Sequence, residues 1–209
     1  MLEFTLFKIP VRVEPVFWIT IGLIGFLSYQ KAGDQMFLLI ALFIIAGFLS
    51  ILIHELGHAL MVKKYNSPTQ IVLSSFGGYA THPAGSLDRK QSFLMTLAGP
   101  LLQAIVGFAT LFITPHLGFE GTLMLEFLIT FSWISIIWAI FNCLPVLPMD
   151  GGRMLEAALG PRRIKLTLTI SLISAIALCI LGFYLHFMFA GIFMAMFAFQ
   201  NYQALEKFK

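Results

Sequence analysis

The chain has 209 residues, of which 59% are hydrophobic and only 11% charged, with a mean hydropathy of +0.91. Soluble domains carry charge on roughly a quarter of their residues, so this composition excludes a water-soluble globule and predicts one membrane-embedded domain covering residues 1–209. The net charge of +3 comes without a dense basic run or a basic patch interleaved with aromatics, which speaks against a nucleic-acid partner. Cys143 and Cys179 lie in apolar surroundings without C-x-x-C spacing, which predicts two buried small side chains rather than a disulfide or a thiolate metal site.

In chain order, residues 1–14 are too polar and too short to cross a bilayer, and predict short extended segments on the membrane surface. Stretches matching the roughly 20 apolar residues of a membrane helix follow at 16–30, 36–62, 92–114, 122–141, 165–182 and 185–201. The last two divide one apolar run between Lys165 and Glu206, with the break placed near Gly182. The first could be a signal-peptide core, but Glu3 and Glu14 stand before it and no small-x-small cleavage site follows in Ser28-Tyr29-Gln30-Lys31, so it predicts a retained helix. Between the second and third spans, at about 66–88, prolines, glycines and the β-prone runs 70–73 and 79–81 predict a membrane-associated hairpin turning around Gly77-Gly78. The predicted fold class is therefore an all-α polytopic membrane protein with six transmembrane helices and a small β hairpin.

The basic residues support that count. Of 13 lysines and arginines, all but Lys31 fall on one side of a six-span arrangement, from Lys8 and Arg12 through Arg162 and Arg163 to Lys207 and Lys209. The positive-inside rule then predicts a multi-pass protein of the cell membrane with both termini cytoplasmic.

The second span contains His54-Glu55-Leu56-Gly57-His58. Histidines four apart share one helical face and can bind a single metal ion, and the glutamate between them can activate a metal-bound water. With five histidines in the chain, chance would produce such a motif only about 0.004 times. Ionisable groups at membrane depth also cost about 2.5 kcal/mol or more each on insertion scales, and a bound metal is the simplest offset. His54 precedes the cytoplasmic Lys63 by nine residues, which places it about 14 Å inward at 1.5 Å per residue.

Two histidines leave a tetrahedral zinc in need of a third protein ligand. Asp34 and Asp88 read as solvated loop residues. Asp150 differs: it ends the segment 142–150, Asn-Cys-Leu-Pro-Val-Leu-Pro-Met-Asp, in which Pro145 and Pro148 break the helix and free carbonyls that a membrane protein tolerates only where backbone lines a cavity or is buried in protein. Gly151-Gly152 then allows close approach to another backbone. The plainer alternative is a cytoplasmic loop whose aspartate caps the following helix. Glu126, His82, His116 and His186 read as surface or interfacial groups.

His54-Glu55-x-x-His58 followed by Asn142-x-x-Pro145-x-x-x-x-Asp150-Gly151 resembles the paired signature of the site-2 protease family of intramembrane zinc metalloproteases, in order, spacing and span context. The resemblance implies Asp150 as third ligand to one zinc per chain, Glu55 as general acid and base, and Asn142 as a donor to the oxyanion or to substrate. It further implies that an extended substrate, a transmembrane protein or peptide cleaved within or beside its membrane helix, pairs with the hairpin at Gly77-Gly78. Ala98-Gly99-Pro100-Leu101-Leu102-Gln103 matches the family's A-G-P-x-x-N except at Gln103, to which no catalytic role is assigned. The length leaves no room for an inserted PDZ or a nucleotide-sensing domain, so the expectation is a minimal catalytic core. The rival reading is a divalent-metal transporter, but the chain lacks the His-rich loop and the ligands on adjacent spans that a transport path would use.

Overall fold

The computed structural model describes residues 1–75 and 77–208; Phe76, inside the predicted hairpin, and Lys209, one of the basic residues assigned to the cytoplasmic side, lie outside them. The helices are α1 Pro15–Tyr29, α2 Met36–Lys64, α3 Arg89–Ile113, α4 Leu123–Asn142, α5 Asp150–Leu159, α6 Ile164–Tyr184 and α7 Met188–Glu206. All but α5 coincide with predicted spans. Those containing α2, α3, α4 and α6 are long and apolar enough to cross a membrane, while α1 is apolar but shorter. The chain is thus a mostly helical, multi-pass membrane protein with a small sheet.

That sheet is larger than a hairpin. Strand β1, Leu2–Leu6, pairs antiparallel with β2, Ile9–Val13, which pairs parallel with β3, Gln70–Ser74, which pairs antiparallel with β4, Gly77–Thr81. Phe7 and Lys8, with φ of 51° and 63°, both take the left-handed conformation of a two-residue type I′ hairpin turn. The reason residues 1–14 are not separate surface segments lies in β2: Ile9, Val11 and Val13 are buried while Pro10 faces out, and that apolar face needs a partner. Gly77 and Gly78 are also corrected, from turn to strand. They open β4 in register with Ser74 and Leu73, and the chain reverses before them, with Ser75 in the turn.

The chain divides into two compact units. One comprises Met1–Leu87 and Ala98–Ile140. Its core joins Val11 and Val13 of β2, Ile71 and Leu73 of β3, Phe17 of α1 and Leu52, Leu56 and Ala59 of α2, so the sheet lies against the helix that carries the histidines. The Ser74 hydroxyl donates to Glu14 Oε2 at 2.6 Å and the Glu14 N–H to Leu73 O at 2.9 Å, fixing the start of α1 to the end of β3.

The other unit comprises Asp88–Leu97 and the chain from Phe141 onward, with Val146, Met149, Ala175 and Met194 as its core. Asp88 and Gln91 form a reciprocal capping box at the start of α3, with bonds of 2.8 and 3.0 Å,. The break predicted at Gly182 falls later: α6 continues to Tyr184, and the reversal runs from Leu185 to Phe187. His186, with φ of 62°, takes the position usually held by glycine in a Schellman motif, in which Phe187 N–H bonds Gly182 O at 2.8 Å and His186 N–H bonds Phe183 O at 3.1 Å,. Gly182 serves close packing instead: a Cβ there would lie 2.8 Å from the Gly191 backbone nitrogen. The cysteines depart in part from expectation. Cys179 is half-buried, whereas Cys143, in the broken segment just after α4, is exposed.

Candidate metal centre

The four-residue spacing places His54 and His58 on one face of α2, and both are buried with Glu55 beside them. Their rings meet edge to face with centroids 4.7 Å apart, and the two Nε2 atoms are 3.0 Å apart. Room for these rings comes from glycines. A Cβ at Gly99 would run into the His58 imidazole, and one at Gly57 into the backbone of Ala98 and Gly99. The Ala98-Gly99 pair of α3 is therefore what lets this helix lie directly against the histidine face of α2.

Gln103, one turn further along α3, is fully buried. Its Oε1 lies 2.9 Å from His54 Nδ1, and its Nε2 donates to Ser50 Oγ at 2.8 Å and to Ser50 O at 3.3 Å. The Ser135 hydroxyl of α4 donates in turn to Ser50 Oγ at 2.9 Å. Gln103 stood out in the sequence only as a departure from the family pattern with no catalytic role assigned, and Ser50 and Ser135 were not singled out. The available signal was polar side chains within otherwise apolar spans, where burial is costly.

Glu55 lies beneath the edge strand of the sheet. A Cβ at Gly78 would sit 2.7 Å from Glu55 Cγ, so β4 crosses this side chain at a distance only glycine permits. Gly77, with φ of 146°, takes a backbone conformation that side chains avoid, and a Cβ there would come no closer than 3.9 Å, to Trp138. The strand order β1-β2-β3-β4 leaves one side of β4 without a strand partner among the described residues.

Asn142 is the last residue of α4 and half-buried. Backbone groups of the broken segment after it find side-chain partners on later helices. Leu147 N–H donates to Ser171 Oγ at 3.2 Å, Leu147 O accepts from Asn201 Nδ2 at 2.7 Å, and Pro148 O accepts from Arg153 Nε at 3.1 Å. Gly151 and Gly152 press onto this loop, because a Cβ on either would enter the backbone of residues 143–144 and 146–147. Asp150 opens α5. The N-cap is Met149, whose side chain makes no capping hydrogen bond, and Asp150 is the first helical residue.

The ligand atoms of His54, His58 and Asp150 lie within 4.8 Å of one another. Two imidazole nitrogens and a carboxylate oxygen suit zinc or another first-row transition ion rather than calcium or magnesium. The 3.0 Å separation of the histidine nitrogens is close to the roughly 3.3 Å edge of a tetrahedron with metal–nitrogen bonds of about 2.05 Å. The donor set thus fits a metal ion. Cys143 lies outside this donor group, and partial burial and the Asp150 carboxylate both push its thiol up from the ordinary value. Asp34, in a short 3-10 turn, and the exposed Glu126, His116 and His186 stand apart from this group, and His82 hydrogen-bonds locally within its loop.

Apolar helices carrying a His-His-Asp donor group, both histidines buried and the aspartate half-buried, with a glutamate from the same H-E-x-x-H motif, define the class of a membrane protein with a candidate metal centre. The profile of Peptidase family M50 matches residues 118–181. A zinc metalloprotease of Methanocaldococcus jannaschii is 30% identical over 162 residues, 76% of this chain and 45% of that protein. A candidate zinc metalloprotease of Synechocystis sp. is 30% identical over 164 residues, 73% and 42% respectively. The solved site-2 protease of Methanocaldococcus jannaschii superposes with a TM-score of 0.67 at 25% identity, covering 98% of this chain and 94% of that one. The chain belongs to the site-2 protease family of M50 metalloproteases. It spans less than half the length of the curated relatives it matches.

Proposed function

We propose that this chain hydrolyses peptide bonds within or beside transmembrane segments of membrane-protein substrates, using one zinc ion per chain held by His54, His58 and Asp150. The observation that carries this reading is the approach of those three donors to one another, with Glu55 buried on the same helix and the sheet edge running over it. Zinc, when bound, supplies a Lewis acid and lowers the pKa of a water toward neutrality. Glu55 would accept the proton of the water that attacks the scissile carbonyl and pass it to the leaving amine. The Asn142 amide donates to the developing oxyanion or to the substrate backbone.

A helical substrate hides its carbonyls in internal hydrogen bonds, so it must unwind before attack. The free edge of β4 at Gly77 and Gly78 offers the unwound segment a strand to pair with, and the bareness of Gly78 brings that edge against Glu55,. In this reading residues 1–209 act as one catalytic domain in the cell membrane, the six helices at the predicted spans all cross it, and both termini face the cytoplasm, on the side marked by the basic residues.

The test is to express the chain and its Glu55→Gln variant in cells and compare the membrane proteins each retains. The variant should accumulate uncleaved substrates that the wild type lacks. Identical retained proteins, together with zinc uptake into liposomes by the purified wild type, would point to a metal transporter instead.

A further inference from the structure

We infer that Gln103 is a positioning residue that sets the tautomer of His54 and so presents an unprotonated Nε2 toward the metal; this rests on the reading of His54 as a ligand. The Ser50 backbone carbonyl can only accept a hydrogen bond. Gln103 Nε2 lies 3.3 Å from that oxygen and 2.8 Å from Ser50 Oγ, so the amide is oriented with its NH₂ toward Ser50. The flipped amide would set two acceptors, Gln103 Oε1 and Ser50 O, against each other in a buried site.

Amide orientation then dictates protonation. Gln103 Oε1, facing His54 Nδ1 at 2.9 Å, has no proton to give, so Nδ1 carries the proton and donates. A neutral imidazole protonated at Nδ1 holds its lone pair at Nε2, and His54 Nε2 is the atom that lies 3.0 Å from His58 Nε2, on the side of the donor group. Ser135 of α4 braces the arrangement by donating to Ser50 Oγ at 2.9 Å. Ser50, Gln103 and Ser135 are all essentially inaccessible, so water cannot substitute freely for any member. Reach matters as well. Asparagine at this position is shorter by one methylene, about 1.5 Å, and could not bridge Ser50 and His54 from the same backbone.

The test uses the full chain in detergent with two readouts that do not depend on activity. In metal-free protein labelled with ¹⁵N-histidine, the wild-type His54 resonances should show a protonated Nδ1 and an unprotonated Nε2, and Gln103→Leu should shift protonation toward Nε2. In competition with a chromogenic chelator, Gln103→Leu should lose roughly 10–100-fold in zinc affinity, as outer-shell partners of metal-bound histidines typically do. Gln103→Asn should behave like the leucine variant. A wild-type His54 protonated at Nε2, or a folded Gln103→Leu protein with wild-type zinc affinity, overturns the inference. If Gln103→Leu does not fold, the wild-type spectrum and Ser50→Ala, expected to weaken zinc partially, decide it. A wild type that binds no zinc at all refutes the ligand reading itself, while the spectrum still decides the tautomer.

Discussion

Asn201 provides a stringent test of how the third ligand is positioned, because it lies on α7, far along the chain from Asp150. Its Nδ2 donates to Leu147 O at 2.7 Å and to Phe197 O at 2.8 Å, and the residue is 2% exposed. Replacing it with leucine keeps the branch at Cγ and the number of side-chain heavy atoms but removes the donor that satisfies the Leu147 carbonyl in a non-helical segment. A buried carbonyl deprived of its partner costs about 1–3 kcal/mol. Asn201 Oδ1 is itself buried without a hydrogen-bond partner, so its removal offsets part of that cost and leaves a net loss of about 1–2 kcal/mol. If this loss falls on the ordered turn that presents Asp150, the zinc dissociation constant should rise about 5–30-fold. Chelator competition on purified protein, with a thermal melt to verify folding, measures it. A folded Asn201→Leu protein with unchanged zinc affinity and unchanged melting would refute the idea that α7 holds the Asp150 turn in place.

Other perturbations address the site more directly. Gly78→Val puts branched carbon where even a Cβ lies 2.7 Å from Glu55 Cγ; kcat/KM should fall at least about tenfold while zinc content holds, since the metal ligands are untouched. Gly99→Ala forces a methyl into the His58 ring and should cost about 1–3 kcal/mol of stability, measured by thermal melting, along with zinc affinity. Asp150→Ala removes a ligand rather than an outer partner, so metal analysis should find its zinc affinity reduced by more than the roughly 10–100-fold expected of outer-shell changes. Chelator treatment of wild type should abolish cleavage and added zinc should restore it, read by gel analysis of a membrane substrate.

What the sequence disclosed was whatever is local or helical. The His54 to His58 spacing fixes a helical face, the prolines at 145 and 148 fix a break, and long apolar runs fix helices, so these features read directly. Pairing between distant segments did not. β2 and β3 are separated by two helices, and nothing in the alternation of Ile9, Val11 and Val13 names Ile71 and Leu73 as partners, although it does imply a face that must be buried. Gly77-Gly78 suggested a turn because adjacent glycines favour one; the structure uses them for closeness to Glu55 and for an unusual φ. The reversal at His186 was hidden for a related reason, since a histidine occupies a conformation normally signalled by glycine. Gln103 looked like a conservative departure from a family pattern, and only the positions of Ser50 and Ser135 on neighbouring helices reveal what its extra methylene reaches.

The central claim, that Glu55 acts on water beside a metal held by His54, His58 and Asp150, is tested most directly by purified Glu55→Gln protein. Its zinc content and its cleavage of a membrane substrate in liposomes would be measured against wild type. Wild-type zinc occupancy, near one ion per chain, is expected with cleavage lost. Cleavage retained at the wild-type rate by the zinc-loaded variant would contradict it.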